Sequence, residues 1–277
     1  MTDEHIAEHG ALFHRDGERF VPTPLARGPW DPNALHGGAP SALFAHVLAA
    51  HDAGPASFAV RLTVELMRPV PLAPLQLTVR TLRPGRNVQW LEGVLLSEGT
   101  EVAHATMLRM RELEVDLTGA VPQPVTPVRS VDDGAELTTF GTYDVGMWAA
   151  FEKRFFEAGW GTTGPATGWF RLLCPVLGEE PATPFDRVAA CADFGSGVGN
   201  PLPFTKTGAI NAEITIHTHR HPAGEWVGLE SGGWVQANGV GLVETRLHDE
   251  QDTLGRASQA MLASPLAEPR VMGQSSS

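Results

Sequence analysis

The chain has 277 residues, with 20 Lys and Arg against 32 Asp and Glu, so its formal charge is −12 and it lacks the basic footprint that nucleic-acid binding needs. Hydrophobic residues make up 42% and charged ones 19%, enough apolar matter to bury a core and to exclude disorder by composition. Two cysteines, Cys174 and Cys191, exclude a disulfide scaffold, and 30 Gly with 22 Pro favour short elements and many turns.

In chain order, the opening MTDEHIAEHG is acidic and polar, with neither the basic nor the apolar region of a secretory signal. A helix is predicted over 37–52, GGAPSALFAHVLAAHD, whose apolar residues recur at helical spacing behind a Gly pair. Its apolar part is interrupted by Ser41 and His46 and is too short to span a bilayer, so a soluble, cytoplasmic protein is expected. Past the Gly54-Pro55 break, the runs 58–69, 75–85, 88–99 and 101–112 alternate apolar with polar residues and read as strands. Arg86-Asn87 and Glu98-Gly99 read as hairpin turns between them. One helix followed by an antiparallel meander is an α+β pattern rather than alternating βαβ.

From Asp116 to Ala135 the chain is rich in proline and poor in large apolar residues, as a solvated linker would be. Beyond it, 145–156 and 168–177 read as the opening strands of a second unit. Thr183-Pro184 offers an N-cap and a first-turn proline to a helix through 184–194. Strands are predicted over 210–221, 224–236, 240–249 and 253–264, and the tail 271–277 is expected to fray. Sliding the chain by about 152 positions superposes the halves without a gap and brings Thr63 onto Thr215, Leu77 onto Leu229 and Glu92 onto Glu244. The chain is therefore divided into units at 1–115 and 136–277, joined by a linker at 116–135.

Several residues could carry chemistry. Asp193, the one acid between Arg187 and Glu213, sits among small apolar residues, where a carboxylate loses hydration and becomes a base or a shifted acid. The competing reading is a helix residue that reaches solvent or a backbone amide. Gln259, in an otherwise apolar strand, can orient a water or polarise a carbonyl, and Asn211 offers the same amide chemistry; either could equally face outward. His36-Gly37-Gly38, at a helix entry, could offer backbone N–H groups to an oxyanion, or be a plain glycine-rich start. His217, His219 and His221 would share one face of a strand, but three collinear imidazoles cannot wrap a zinc ion, so no metal is expected. The 195–199 segment, GSGVG, lacks both the following helix and the Lys-Ser/Thr of a phosphate loop. No G-x-S-x-G elbow occurs, and both cysteines lie in apolar runs that suit inert buried thiols.

Taken in order, HGGAPSALFAHVL, FAVRLTVELMRPVP, GRNVQWLEGVLLSEGTEVAHATMLRM, AACADFGSGVGN, NAEITIHTHRHPAGEW and GRASQAML resemble the acyl-CoA thioesterase II type of the hot-dog superfamily, in its two-domain single-chain form, from about Leu12 to Ser264. The resemblance implies an α+β double hot-dog, two units each with a central helix wrapped by a curved antiparallel sheet. It implies catalytic roles for Asp193, Asn211 and Gln259, which would hold and activate a water that attacks the thioester carbonyl directly, without an acyl-enzyme and without a cofactor. Asn211 stands where a Thr is usual in that family. The repeat sets Ser41 against Asp193 and Met107 against Gln259, so the first unit is expected to be catalytically silent.

An acyl-CoA substrate carries phosphates, for which Arg80, Arg83 and Arg86 are candidate ligands, and an acyl chain, for which Trp30, Phe44 and Phe194 are candidate pocket walls. The hydratase branch of the fold, resembling D-x-N-P-L-H, fits poorly, because Pro203 follows Asn200-Pro201-Leu202. A lipid or acyl-CoA binder without turnover is the alternative to the hydrolase. A homo-oligomer is expected from the resemblance.

Overall fold

The computed structural model describes residues 2–52, 57–121, 129–137, 143, 145–156, 160–203 and 207–265; the expected frayed tail and the 122–128 part of the expected linker lie outside them. α1 (Thr2–His9) leads into a hairpin of β1 (Phe13–Asp16) and β2 (Arg19–Pro22), elements too short to show in the sequence pattern. α2 (Gly38–Ala50) fills the predicted first helix, and ten of its residues are buried, since a helix apolar on all sides must be covered on all sides.

Both ends of α2 are capped from distant parts of the chain. Its N-cap, Gly37, has no side chain to give, and the Gly38 N–H instead donates to the carboxylate of Asp193 at 3.1 Å. At the other end the buried Arg109 guanidinium donates to the Ala49 carbonyl at 2.9 Å and to Gln89 Oε1 at 2.9 Å. An anion at the helix start and a cation at its finish both complement the helix dipole.

The predicted meander appears as β3 (Ser57–Glu65), β4 (Leu75–Arg83), β5 (Val88–Ser97) and β6 (Thr100–Arg111). Glu98 and Gly99 link the last two with φ of 48° and 77°, the left-handed pair that a tight hairpin turn requires. β7 (Ala135–Glu136) starts at the expected end of the linker. The run from Val145, expected to be a strand, opens with a 3-10 turn at Met147–Ala150, and only Phe151–Phe155 is extended, as β8. β9 (Ala166–Leu172) follows.

α3 (Pro184–Ala192) begins with a reciprocal cap, in which Thr183 Oγ1 accepts from the Asp186 N–H at 3.1 Å and Asp186 accepts from the Thr183 N–H at 2.8 Å. It stops one residue before Asp193, which is its C-cap rather than an interior position. α4 (Gly195–Val198) is a single turn formed by the GSGVG segment itself. The last four strands, β10 (Thr207–Thr218), β11 (Trp226–Val235), β12 (Val240–His248) and β13 (Thr253–Pro265), match the predicted runs closely.

Among the described residues, thirteen strands form one sheet, in the order β1-β2-β4-β5-β6-β3-β10-β13-β12-β11-β9-β8-β7. The first and second halves meet at the antiparallel β3–β10 pair, where Thr63 lies opposite Thr215, with hydroxyls 3.2 Å apart. These two residues are also equivalent in the repeat, and a residue meets its own equivalent only on a two-fold axis relating the halves. The same axis sets Arg61 opposite His217 and Glu65 opposite Glu213. Alternate residues of these strands, among them Leu62, Val64, Ile214 and Ile216, are buried inward and join α2 and α3 in one core. Among the described residues, no helix is long and apolar enough to cross a membrane.

Candidate active site

The C-cap of α3, the start of α2, the start of β10 and the middle of β13 converge on the Asp193 carboxylate, which is 7% exposed. Oδ1 accepts from Asn211 Nδ2 at 2.7 Å and from Gln259 Nε2 at 3.1 Å. Oδ2 accepts from the Gly38 N–H at 3.1 Å and lies 3.0 Å from His36 Nδ1. The three residues implied by the resemblance are therefore brought together, and the His36-Gly37-Gly38 entry joins them. Asn211 reaches inward because a bulge between it and Glu213 shifts the register of β10 on β13.

A carboxylate can only accept, so it fixes both amides with their nitrogens inward. The second hydrogen on each nitrogen is also used: Asn211 Nδ2 donates to Ser196 Oγ at 3.1 Å, and Gln259 Nε2 to the Asp193 carbonyl at 3.2 Å. What remains are Asn211 Oδ1 and Gln259 Oε1, two buried acceptors with no hydrogen bond. Neither amide has a donor left for an oxyanion. The Gly37 N–H has no acceptor among the described residues, which leaves it free for that purpose.

The His36 ring also borders the site; sequence reasoning reads its motif for the backbone and not for the ring. The imidazole is 12% exposed and lies against Phe194, with ring centroids 4.5 Å apart. Burial pushes its pKa below the usual histidine value, opposed in part by the Asp193 charge. The glycines beside it are spatial necessities. A Cβ on Gly37 would stand 2.7 Å from Asp193 Oδ2, and one on Gly38 would collide with the Ala190 carbonyl oxygen of α3. Gly195 likewise leaves room for Gln259, whose Oε1 would lie 2.9 Å from a Cβ there.

The other candidates fall elsewhere. Arg80 pairs with Glu92, and Arg83 lies over the Trp90 ring at 5.2 Å. Arg86 sits beside Gln89 and Arg109 at the far end of α2, on the order of 20 Å from Asp193 by the rise of that helix. Phe194 joins Trp148, Trp160, Phe151 and Phe170 in an aromatic cluster directly behind Asp193. Phe44 points instead into the first half of the sheet, against Gly93, and Trp30 is 42% exposed.

β10 ends at Thr218, so the three histidines do not share a strand face. His217 lies between Arg61 and Arg256, and His221 bonds Glu112 at 3.1 Å. Ser41 donates to the Gly37 carbonyl at 2.8 Å, and Met107 is fully buried between Leu62 and Leu91. Both cysteines are buried, and burial pushes the Cys174 thiol up to about 12 and Cys191 higher still.

Comparison with known proteins follows the same lines. Residues 26–110 match the acyl-CoA thioesterase N-terminal domain and residues 123–263 the acyl-CoA thioesterase C-terminal domain, each as a family sequence model. No curated protein matches the chain. Among solved structures, a candidate thioesterase from Novosphingobium aromaticivorans DSM 12444 is 21% identical, with a TM-score of 0.70 over 91% of this chain and 98% of that one. A hot-dog protein of unknown function from Alicyclobacillus acidocaldarius has a TM-score of 0.71 at 15% identity, covering 93% and 97%. The acyl-CoA thioesterase II TesB2 of Mycobacterium marinum has a TM-score of 0.67 at 13% identity, covering 92% and 96%. At such identities the likeness shows the fold, a hot-dog built on a large antiparallel sheet.

Proposed function

The chain belongs to the acyl-CoA thioesterase family, and on that premise we propose that it hydrolyses the thioester of a fatty or related acyl-CoA by direct attack of a water held at Asp193, Asn211 and Gln259. The observation that carries this reading is the pair of buried, unpartnered acceptors, Asn211 Oδ1 and Gln259 Oε1. Buried polar atoms are seldom left unsatisfied, and a water donating to one of them would be fixed beside Asp193 with a lone pair free for the thioester carbon. Attack places negative charge on the former carbonyl oxygen, for which the Gly37 N–H at the start of α2, without an acceptor among the described residues, is an available backbone donor. Collapse expels CoA as its thiolate. Water is the only co-reactant, so the reaction needs no cofactor and no metal.

Asn211 takes the place of a hydroxyl residue without loss of this logic, because its amide both ties to Asp193 and presents an acceptor. One active centre per chain is expected, since Ser41 and Met107 offer neither an acid nor an amide at the repeat-related positions. The test is free-thiol release from acyl-CoAs of graded length and from aryl-CoA, beside Asp193→Asn. Release by the wild type that falls at least about a hundredfold in the variant supports the reading. Tight binding of acyl-CoA without release would instead favour a binding protein.

A further inference from the structure

We propose that two copies of this chain join through the outer face of the second-half sheet, across a two-fold axis of their own, directly behind the candidate active centre.

Five large apolar side chains carry the inference. Ile210 on β10, Leu262 on β13, Val240 and Leu242 on β12 and Trp234 on β11 are each between 43% and 58% exposed. They are neighbours on one surface. Ile210 lies opposite Leu262, Leu262 opposite Val240, and Leu242 opposite Trp234, while Val240 and Leu242 stand two positions apart on one strand. The residues that alternate with them, Val243, Gln259 and Met261, are buried on the inner face. Single exposed apolar residues are ordinary, but an apolar surface continuous over four adjacent strands is not. Farther along the same strands the outward positions turn charged, with Glu230 paired to Arg246 at 2.9 Å.

Area, charge and the first half of the chain each point to a second copy as the occupant. The exposed parts of the five side chains amount to about 500 Å², so two copies pressed together would hide about 1,000 Å² from these residues alone, the floor for a specific contact. The segments that carry the face, 207–213, 232–244 and 258–265, contain Glu213 and Glu244 and neither Lys nor Arg. A membrane with anionic headgroups selects a basic rim, and this one is acidic on a chain of charge −12. A face with an uncharged centre, by contrast, does not repel its own image, as a two-fold contact requires. In the repeat, Phe58, Leu82 and Trp90 take the places of Ile210, Trp234 and Leu242. There the chain supplies cover itself: Phe58 is buried against the His221 ring at 4.6 Å, and Arg83 lies over Trp90.

The place of this face matters for the site. Ile210 immediately precedes Asn211, and Leu262 follows Gln259 by three positions on β13. Both amides project from the other side of these two strands, toward Asp193, so the contact backs the site without covering it.

Sedimentation equilibrium of the full chain, with Leu262→Glu and Leu82→Glu run alongside, tests the proposal. Leu262 is flanked by Ile210 and Val240, and a two-fold contact would bring two introduced carboxylates into one dry interface. At about 10 µM the wild type should sediment at twice the chain mass of 29.7 kDa and Leu262→Glu at the single mass, a rise in dimer Kd of at least about a hundredfold. Leu82→Glu, at the corresponding position of the first half, should remain dimeric. A dimer that survives Leu262→Glu, or one that Leu82→Glu also dissociates, overturns the proposal. So does a wild type still monomeric at about 100 µM. Flotation of that monomer with phosphatidylcholine–phosphatidylglycerol vesicles would assign the face to a lipid surface instead. Near-UV circular dichroism checks that each variant folds. If Leu262→Glu does not, Val240→Glu replaces it with the same expected outcomes. None of these masses depends on the thioesterase reading.

Discussion

Gly37→Ala is the smallest change that should separate activity from folding. The added methyl would stand 2.7 Å from Asp193 Oδ2 and 3.0 Å from Leu66 Cδ1, where ordinary contact begins near 3.4 Å. Leu66 can rotate away, but a carboxylate has only two torsions and is held by three donors, Asn211, Gln259 and the Gly38 N–H. It must therefore retreat by roughly 0.7 Å, and Oδ2 then loses good geometry to the Gly38 N–H. A hydrogen bond to a charged group is worth about 1.5–3 kcal/mol, so one such loss felt in the transition state lowers kcat about 10- to 100-fold. Stability should change little, by under about 1 kcal/mol, because Gly37 precedes the helix and its φ of −58° suits alanine. Thiol release measured beside a urea midpoint reads both quantities. Wild-type kcat in Gly37→Ala would refute the claim that Asp193 has no room to move.

Three further outcomes follow from the same contacts. His46 Nδ1 lies 2.9 Å from Asp186 and Nε2 3.1 Å from Glu180, and the bond to Asp186 above all raises its pKa. A raised histidine pKa gives stability that is complete below the unfolded value near 6.5 and is lost as pH rises through the folded value. The urea-midpoint gap between wild type and His46→Gln should accordingly shrink from pH 6 to pH 8.5, and a gap that widens would count against the α2–α3 bridge. Arg109→Met should destabilise by about 2 kcal/mol, since it uncovers the Ala49 carbonyl and removes the cation from the end of α2; an unchanged denaturation midpoint would refute that role. Neither Cys174 nor Cys191 should react with a thiol reagent until the protein is denatured, and stoichiometric labelling of the native protein would show that the burial is wrong.

Local pattern made much of this protein legible. Period-2 alternation in 75–85 or 240–249 is written into consecutive residues, so the strands appear where the pattern puts them. The repeat makes Thr63 and Thr215 equivalent, but that the two pair across the β3–β10 seam comes only from the tertiary structure. The 3-10 turn at Met147–Ala150 escaped because its residues are as apolar as a strand's, and the β1–β2 hairpin because four residues carry too little period to read. Asp193, Asn211 and Gln259 stand out by residue type and setting, each also able to face solvent, and only the family likeness joins them in one site.

How they are arranged is decided only by contacts across the fold. Asp193 caps a helix that starts 155 residues earlier, and that single meeting turns two amides around and orphans their oxygens. Secondary structure answers to neighbours a few positions away along the chain. The direction in which an amide or an imidazole presents its lone pairs answers to whichever charge the tertiary structure sets beside it, and no local pattern records that charge.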